Sequence, residues 1–175
     1  MVVLRATQKV LRTLPQSARE SDVSDTALGD WYLNRIVVDR QPLLLLVSSK
    51  SLLSILAPAR DVKTLPERLA GIVAERLRRL DVNASVVASE VEATGAVRVG
   101  KTLDRSVTGQ LVDFAKAIPY YLPVEGWDAT TLRVAEERLA ETPCRSSRRF
   151  DEVIFPRETA IRLLESTWSA SATGH

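Results

Sequence analysis

The sequence predicts a single α+β domain in which helices cover a small, mainly antiparallel β-sheet. Two strand-like segments, 31–38 and 43–47, are separated by a short turn and form a central hairpin. Most of the later chain instead has apolar residues at helical spacing. The 175 residues contain no internal repeat and no linker long enough to divide them. We therefore expect one domain over residues 1–168, followed by a disordered tail over residues 169–175.

The hairpin is the most strongly patterned segment. Residues 31–38 are rich in aromatic and β-branched side chains, which fit a pleated surface, but Asn34 and Arg35 interrupt both faces. Leu43–Val47 is an unbroken apolar run, as expected for a strand that is covered on both faces. Segment 39–42 is the predicted connection, because its proline cannot donate to a ladder of hydrogen bonds.

Two further strands are expected to join this hairpin, one at Val2–Ala6 and one at Ala96–Val99. Residues 153–155 predict a small edge strand. Residues 51–56, by contrast, are interpreted as one or two helical turns that end at Ala57-Pro58.

Helices are predicted wherever an apolar stripe follows a capping residue. The clearest stripe comprises Val107, Leu111, Phe114, Ile118 and Tyr121, with Asp104 or Ser106 as its N-cap. The helix that begins near Thr64 has an apolar stripe, and Arg76, Arg78 and Arg79 are assigned to its solvated face. The remaining helices are expected over residues 8–14 and 83–91, after Asp128, and after Pro156.

The composition favours a cytoplasmic protein. Twenty-four basic and 22 acidic residues leave a net charge of +2, which by itself implies neither nucleic acid nor a membrane surface. The one cysteine, Cys144, excludes an internal disulfide and fits a reducing compartment. The N-terminus is too charged for a signal peptide, and no run approaches the ~18 apolar residues of a membrane helix.

Gly95–Thr102 matches the phosphate-binding pattern G-x-x-x-x-G-K-[ST]. A true phosphate loop follows an apolar strand and presents successive backbone N–H groups to the anion. Here the preceding residues are acidic and helix-like, and the loop interior is β-branched. We therefore interpret this segment as a strand with a turn at each end.

Residue types exclude several kinds of catalytic site. His175 is the only histidine and lies in the terminal tail, which disfavours a Ser-His-Asp or Cys-His site and a zinc site. A carboxylate pair stays possible among Asp30, Asp39, Asp104 and Asp113. We expect no metal and no cofactor, and the sequence assigns no catalytic residue.

Some polar residues have no obvious structural role, and they are the candidate contacts for an anion or a partner. If the strands pair, several of them collect at one sheet edge beside a helix N-terminus, which is a natural anion site. The alternative is that they cap helices and pair across the sheet. The candidates are Arg5, Thr7, Lys9, Asn34, Arg35, Lys101, Arg105 and Ser106, with Ser48 and Ser49 at the hairpin end.

Two basic groups raise the question of nucleic acid. Arg76, Arg78 and Arg79 form one group, and Arg145, Arg148 and Arg149 form the other. Neither group is interleaved with aromatic residues, and no helix-turn-helix spacing accompanies them. Solvated helix and loop surfaces explain them equally well.

Four stretches give the chain a family resemblance: Leu4–Leu14 (LRATQKVLRTL), Leu28–Val47 (beginning LGDWY), Ser51–Arg60 and Lys101–Ala115. On these it resembles a family of small bacterial proteins defined as a domain of unknown function. The resemblance implies no activity. It places the family's Arg-Ser-Val-x-Gly element at residues 105–109. Because glycine costs a helix about 1 kcal/mol relative to alanine, Gly109 indicates close packing or close approach at that point.

Two functions follow as hypotheses. The first is a non-enzymatic binding or regulatory module of a bacterial cell, acting through a protein or nucleic-acid partner or through homo-oligomerisation. The second is a small enzyme for a phosphorylated or nucleotide substrate, with Lys9, Arg35, Lys101 and Arg105 as anion-binding residues. In either case we expect the site beside the hairpin rather than at the glycine-lysine-threonine motif.

Overall fold

A computed structural model describes residues 1–60, 62–145 and 152–169. Within them, helices and strands form the expected α+β domain. In chain order the elements are β1 (Val2–Ala6), α1 (Gln8–Leu11), β2 (Trp31–Val38), β3 (Gln41–Ser48), β4 (Ser54–Pro58), a 3₁₀ turn (Val62–Thr64), α2 (Leu65–Arg78), α3 (Ala84–Thr94), β5 (Val97–Lys101), α4 (Arg105–Tyr121), α5 (Ala129–Ala140), β6 (Cys144–Arg145), β7 (Val153–Ile154) and α6 (Pro156–Trp168).

Some sequence predictions fall outside the described residues. These are the basic positions Arg148 and Arg149 and nearly all of the tail, residues 170–175. Among the described helices, none is long and apolar enough to cross a membrane.

The main sheet has five strands in the order β4-β3-β2-β1-β5. The β2–β3 and β3–β4 pairs are antiparallel, whereas β1 runs parallel to both β2 and β5. The sheet is therefore evenly mixed rather than mainly antiparallel. Since parallel neighbours end at the same edge, β1 and β5 present their carboxyl ends together beside the middle of β2.

The hairpin turn is tighter than the sequence suggested. Only Asp39 and Arg40 connect the strands, with φ angles of 50° and 64°. Two left-handed residues form the type I′ turn that matches strand twist. Val38 then pairs with Gln41, so that Gln41 and Pro42 belong to the start of β3 rather than to the connection.

The helical turns predicted for residues 51–56 are wrong. Leu52, with φ of 62°, reverses the chain after β3, and Ser54–Pro58 forms the antiparallel strand β4. The segment is too short for its periodicity to distinguish helix from strand. Pairing with the second edge of β3 decides the outcome.

The sheet separates two apolar layers, and β3 contributes to both. Leu44 and Leu46 pack with α2, α3 and α6, whereas Leu43, Leu45 and Val47 pack with α4 and α5. All five are fully buried, which confirms that this strand is covered on both faces. On α4 the predicted stripe is buried at Val107, Leu111, Phe114 and Ile118. The carboxylate of Asp104 caps this helix by accepting from the backbone N–H groups of Ser106 and Val107.

Candidate functional site

Four of the predicted site residues meet near the carboxyl end of β1. The Thr7 hydroxyl donates to Asn34 Oδ1 at 3.0 Å, and the backbone N–H of Arg35 donates to the same oxygen at 2.9 Å. Lys9 Nζ lies 3.5 Å from the carbonyl oxygen of Arg35. Asn34 and Arg35 are half-buried and Lys9 is exposed, so these side chains form a polar corner at the surface.

Arg5 is buried and already has a carboxylate partner. Its side chain is 3% exposed, and its Nε donates to Asp30 Oδ2 at 2.7 Å. Nη1 and Nη2 donate to the carbonyl oxygens of Lys101 and Asp22, each at 3.3 Å. The Ser24 hydroxyl donates to the second oxygen of Asp30 at 2.6 Å. Arg5 thus holds the connection between α1 and β2 onto the sheet.

That connection, residues 16–30, is here called the acidic loop. Besides the Arg5–Asp30 pair, Lys101 is paired with Glu20 at 2.5 Å and Arg98 with Asp22 at 3.1 Å. Hydrogen bonding to Lys101 lowers the pKa of the Glu20 carboxyl. The backbone N–H of Arg19 and the Arg98 guanidinium lower the pKa of the Asp22 carboxyl. Each cation along β1 and β5 therefore has its own carboxylate.

The remaining predicted residues lie apart from that polar corner. Arg105 and Ser106 are exposed at the first turn of α4. Ser48 is buried and its hydroxyl donates to the Leu28 carbonyl, while Ser49 accepts from the backbone N–H of Asp30. These two serines have structural roles in the turn after β3.

The glycine-lysine-threonine motif forms a strand, as the sequence analysis proposed. Val97–Lys101 is β5, and Gly100 pairs in register with Arg5. A Cβ atom on Gly100 would lie 3.1 Å from the Ala18 Cβ and 3.2 Å from Arg5 Nη1. The acidic loop thus packs close against this glycine, and the backbone has no turn there to hold a phosphate.

A second polar region lies at the opposite edge of the sheet, where α2 and α5 meet the edge strand β4. A cavity of about 470 Å³ opens there and is here called the arginine cleft. Its floor is apolar and its walls carry five arginines and two glutamates. The lining residues are Ile55, Leu56, Ala57, Pro58, Arg60, Arg68, Ile72, Glu75, Arg76, Arg79, Ala129, Leu132, Arg133 and Glu136.

Arg76 corrects a sequence prediction, since it is fully buried rather than solvated. Its Nε donates to the carbonyl oxygen of Ser54 at 3.1 Å and lies 3.7 Å from Glu136 Oε2. Glu136 is 2% exposed and accepts from the backbone N–H of Leu56 at 3.2 Å. The two side chains thus bond backbone groups on the outer edge of β4. They shield an edge that could otherwise pair with another chain.

The network around this pair has more positive than negative charge. Arg76, Arg79 and Arg157 share two carboxylates, those of Glu136 and Glu137. Arg76 Nη1 donates to Glu137 at 2.9 Å, and Arg79 Nη2 donates to Glu136 at 3.0 Å. Three guanidinium nitrogens, Nη2 of Arg76 and Nε and Nη1 of Arg79, are buried without an acceptor.

Burial determines the electrostatics of the pair. It raises the pKa of the Glu136 carboxyl, although Arg76 and Arg79 oppose the rise. Burial likewise lowers the pKa of the Arg76 guanidinium, against the attraction of both carboxylates. Ionised groups taken out of water are costly unless they are fully paired. A cluster with an excess of cations can therefore gain from one more anion.

Sequence reasoning missed Arg76 and Glu136, although both leave a signal. Glu136 lies one residue after Ala135 and four after Leu132, on the apolar stripe of α5. Arg76 falls between Val73 and Leu77 on the stripe of α2. An opposite-charge pair on two apolar stripes is the pattern that predicts a buried ion pair between helices.

Two other kinds of site find no support in the described residues. No group of three histidine, cysteine or acidic side chains is close enough to hold a metal ion across residues 1–60, 62–145 and 152–169. Burial raises the pKa of the Cys144 thiol to about 11, so its nucleophilic thiolate form is scarce near neutral pH.

Comparison with known proteins gives a family. The family model described as Domain of unknown function (DUF6933) matches residues 3–159. The chain belongs to that family. The match confirms the resemblance drawn from residues 4–115.

Other comparisons add little about activity. No curated protein matches the chain. Among solved structures it is similar to the catalytic core domain of BIV integrase, with 13% sequence identity and a TM-score of 0.46 over 81% of this chain and 97% of that one.

Proposed function

We propose that this DUF6933 protein is a non-enzymatic binding module of the bacterial cytoplasm whose partner is a protein. In this proposal, the arginine cleft receives an acidic, partly apolar segment of that partner. The observation that carries the proposal is the composition of the cleft, which has five arginines and two glutamates above an apolar floor at a sheet edge.

The polar groups of the cleft support an anionic occupant. Three arginines already share two carboxylates, and three buried nitrogens have no acceptor. Arg60 and Arg133 are exposed at the lining; Arg133 is already paired with Glu75 at 2.7 Å, and Arg60 can meet an incoming carboxylate. Charge-assisted hydrogen bonds of this type are about twice as strong as neutral ones.

The apolar floor supports a protein partner over a nucleic acid. Ala57, Pro58 and Ile72 are accessible and offer contacts to aliphatic side chains, and the lining includes no aromatic residue on which a base could stack. A cleft of about 470 Å³ has the size of an ordinary ligand site, which suits a few side chains.

The test is copurification from the host with matched charge-reversal variants. Arg60→Glu with Arg133→Glu alters the cleft, and Arg12→Glu with Arg162→Glu makes the same charge change at exposed positions elsewhere. We expect one stoichiometric partner with the wild type and the control, and about a tenfold weaker complex with the cleft variant. A partner retained equally by all three proteins, a clean protein without partner, or a nuclease-sensitive complex contradicts the proposal.

The second hypothesis, an enzyme for a phosphorylated or nucleotide substrate, is favoured by a different observation. Thr7, Lys9, Asn34 and Arg35 lie together at the carboxyl end of β1, an edge where α/β proteins bind ligands. A thermal-shift screen with nucleotides and inorganic phosphate decides it. Stabilisation that disappears in Lys9→Ala supports this hypothesis, and no stabilisation by any phosphate compound ends it.

A further inference from the structure

Helix α4 has an outer face of exposed residues that is turned away from the sheet. Its buried stripe packs on β2 and β3, while the opposite side carries exposed residues at helical spacing: Arg105, Gly109, Val112, Asp113, Lys116 and Tyr120. Val112 is 46% exposed and Tyr120 is 87% exposed, and Val124 in the following loop is 95% exposed.

Gly109 is the least explained residue on this face. The sequence predicts close packing or close approach at Gly109, yet a Cβ atom there would meet nothing within 4 Å in the single chain. The glycine nonetheless costs the helix about 1 kcal/mol relative to alanine. A backbone left bare on an exposed helix face allows the backbone of another molecule to approach closely.

The charges around Gly109 are self-complementary. Arg105 lies four residues before it and Asp113 four residues after it, and both are exposed. If two copies of α4 cross antiparallel about a two-fold axis at Gly109, residue 105 of one copy faces residue 113 of the other. Two Arg–Asp pairs then form at once, as symmetric interfaces require. The same operation brings Ser106 opposite Val112, which removes part of that valine from water.

We propose that the exposed face of α4 is the interface of a symmetric homodimer in which the two helices cross antiparallel at Gly109. The occupant of the face is a second copy of this chain, because the arginine and the aspartate stand at equal distances on either side of the glycine. This dimer is independent of the arginine cleft, which lies at the β4 edge of the sheet.

Sedimentation equilibrium of the full chain tests the proposal. We expect the wild type to dimerise, and Arg105→Asp or Asp113→Arg alone to raise the dissociation constant about tenfold or more, since each places like charges face to face. The combined variant Arg105→Asp with Asp113→Arg should recover the dimer. Gly109→Leu should yield monomers, because its side chain fills the crossing point.

Thermal unfolding of each variant separates loss of the dimer from loss of the fold. Arg105, Gly109 and Asp113 are exposed, so every variant should remain folded. The Arg60→Glu, Arg133→Glu protein should dimerise as the wild type does. A wild type that is monomeric at every concentration, single reversals without effect, or a combined variant that fails to recover the dimer overturns the proposal.

Discussion

The acidic loop and the arginine cleft are two clusters of charged residues at opposite edges of one sheet. They differ in the ratio of positive to negative charges. In the loop, Arg5, Arg98 and Lys101 each have one carboxylate of their own. In the cleft, three arginines share Glu136 and Glu137, and donors stay unused. Depth also differs, since two of the three loop pairs lie at the surface whereas Arg76 and Glu136 are buried.

The difference separates a structural cluster from a candidate binding site. The ion pairs of the acidic loop are balanced in charge, so a further anion would not stabilise them. Their role is to hold the loop on β1 and β5. A buried set with excess cations is stabilised by any anion that enters. The cleft, and not the residues first singled out from the sequence, is thus the stronger place for a partner.

The largest expected change in the free energy of unfolding comes from a substitution in the arginine cleft. Glu136→Ala removes the buried carboxylate that accepts from Arg79 and from the backbone N–H of Leu56, and it leaves the buried Arg76 with only Glu137 as a carboxylate partner among the described residues. Truncating one member of a buried pair costs about 3–5 kcal/mol of unfolding free energy. Urea denaturation measures it. Glu137→Ala on the same helix removes a carboxylate that is 37% exposed but accepts from the buried Arg76, so it should lose about 2 kcal/mol, less than Glu136→Ala. Equal losses would show that burial does not distinguish the two carboxylates.

A smaller effect is expected in the loop. Arg5→Met removes the pair with Asp30, but Asp30 is 19% exposed and keeps its bond from Ser24. We expect a loss of about 2 kcal/mol, typical of hydrogen bonds to charged groups, with faster hydrogen exchange over residues 16–30. Arg5→Lys keeps the charge and should lose less. Unchanged exchange in Arg5→Met would mean that this arginine does not hold the loop.

The smallest expected effect is the pH dependence of the free energy of unfolding. The carboxylates of the acidic loop and of the arginine cleft change it in opposite directions. The pKa values of Glu20 and Asp22 are lowered in the folded protein, so their contribution is present above the ordinary values of 4.5 and 3.8 and is lost as pH falls through the folded values. The pKa of Glu136 is raised, so its contribution is present below 4.5 and is lost as pH rises through the folded value.

Hydrogen exchange at several pH values checks this difference, after correction for intrinsic rates. On acidification the amides of Ser17 and Ala18, which bond to the Val99 carbonyl, should lose protection before the amide of Leu56, which bonds to Glu136. Both loop carboxylates are solvated, so the change should be modest and should shrink in high salt. If the Leu56 amide lost its protection from hydrogen exchange first, the assigned directions of the pKa shifts in the two clusters would be wrong.

Local pattern was sufficient for much of the fold. The hairpin, the first strand and β5 follow from short runs of apolar and β-branched residues, and the stripe of α4 follows from a period of 3.6 residues. Residues 51–56 were mispredicted because a segment of that length has no decisive period. Pairing with β3 made it a strand. The site was harder still, since Arg5 and Lys101 have the residue types of an anion site but meet Asp30 and Glu20 from a loop that no pattern positions.

The sequence by itself determined that β3 is covered on both faces, that the phosphate-loop pattern is a strand, and that a histidine-based or zinc site is disfavoured. These conclusions depend on residue type and local spacing. The tertiary structure decided which charges are paired. Whether an arginine is solvated, neutralised or buried with too few partners depends on side chains 25 to 61 residues away, as Arg5 and Arg76 show. The charge balance of a cluster depends on which side chains lie close together in three dimensions. The spacing of residues along the sequence does not show this.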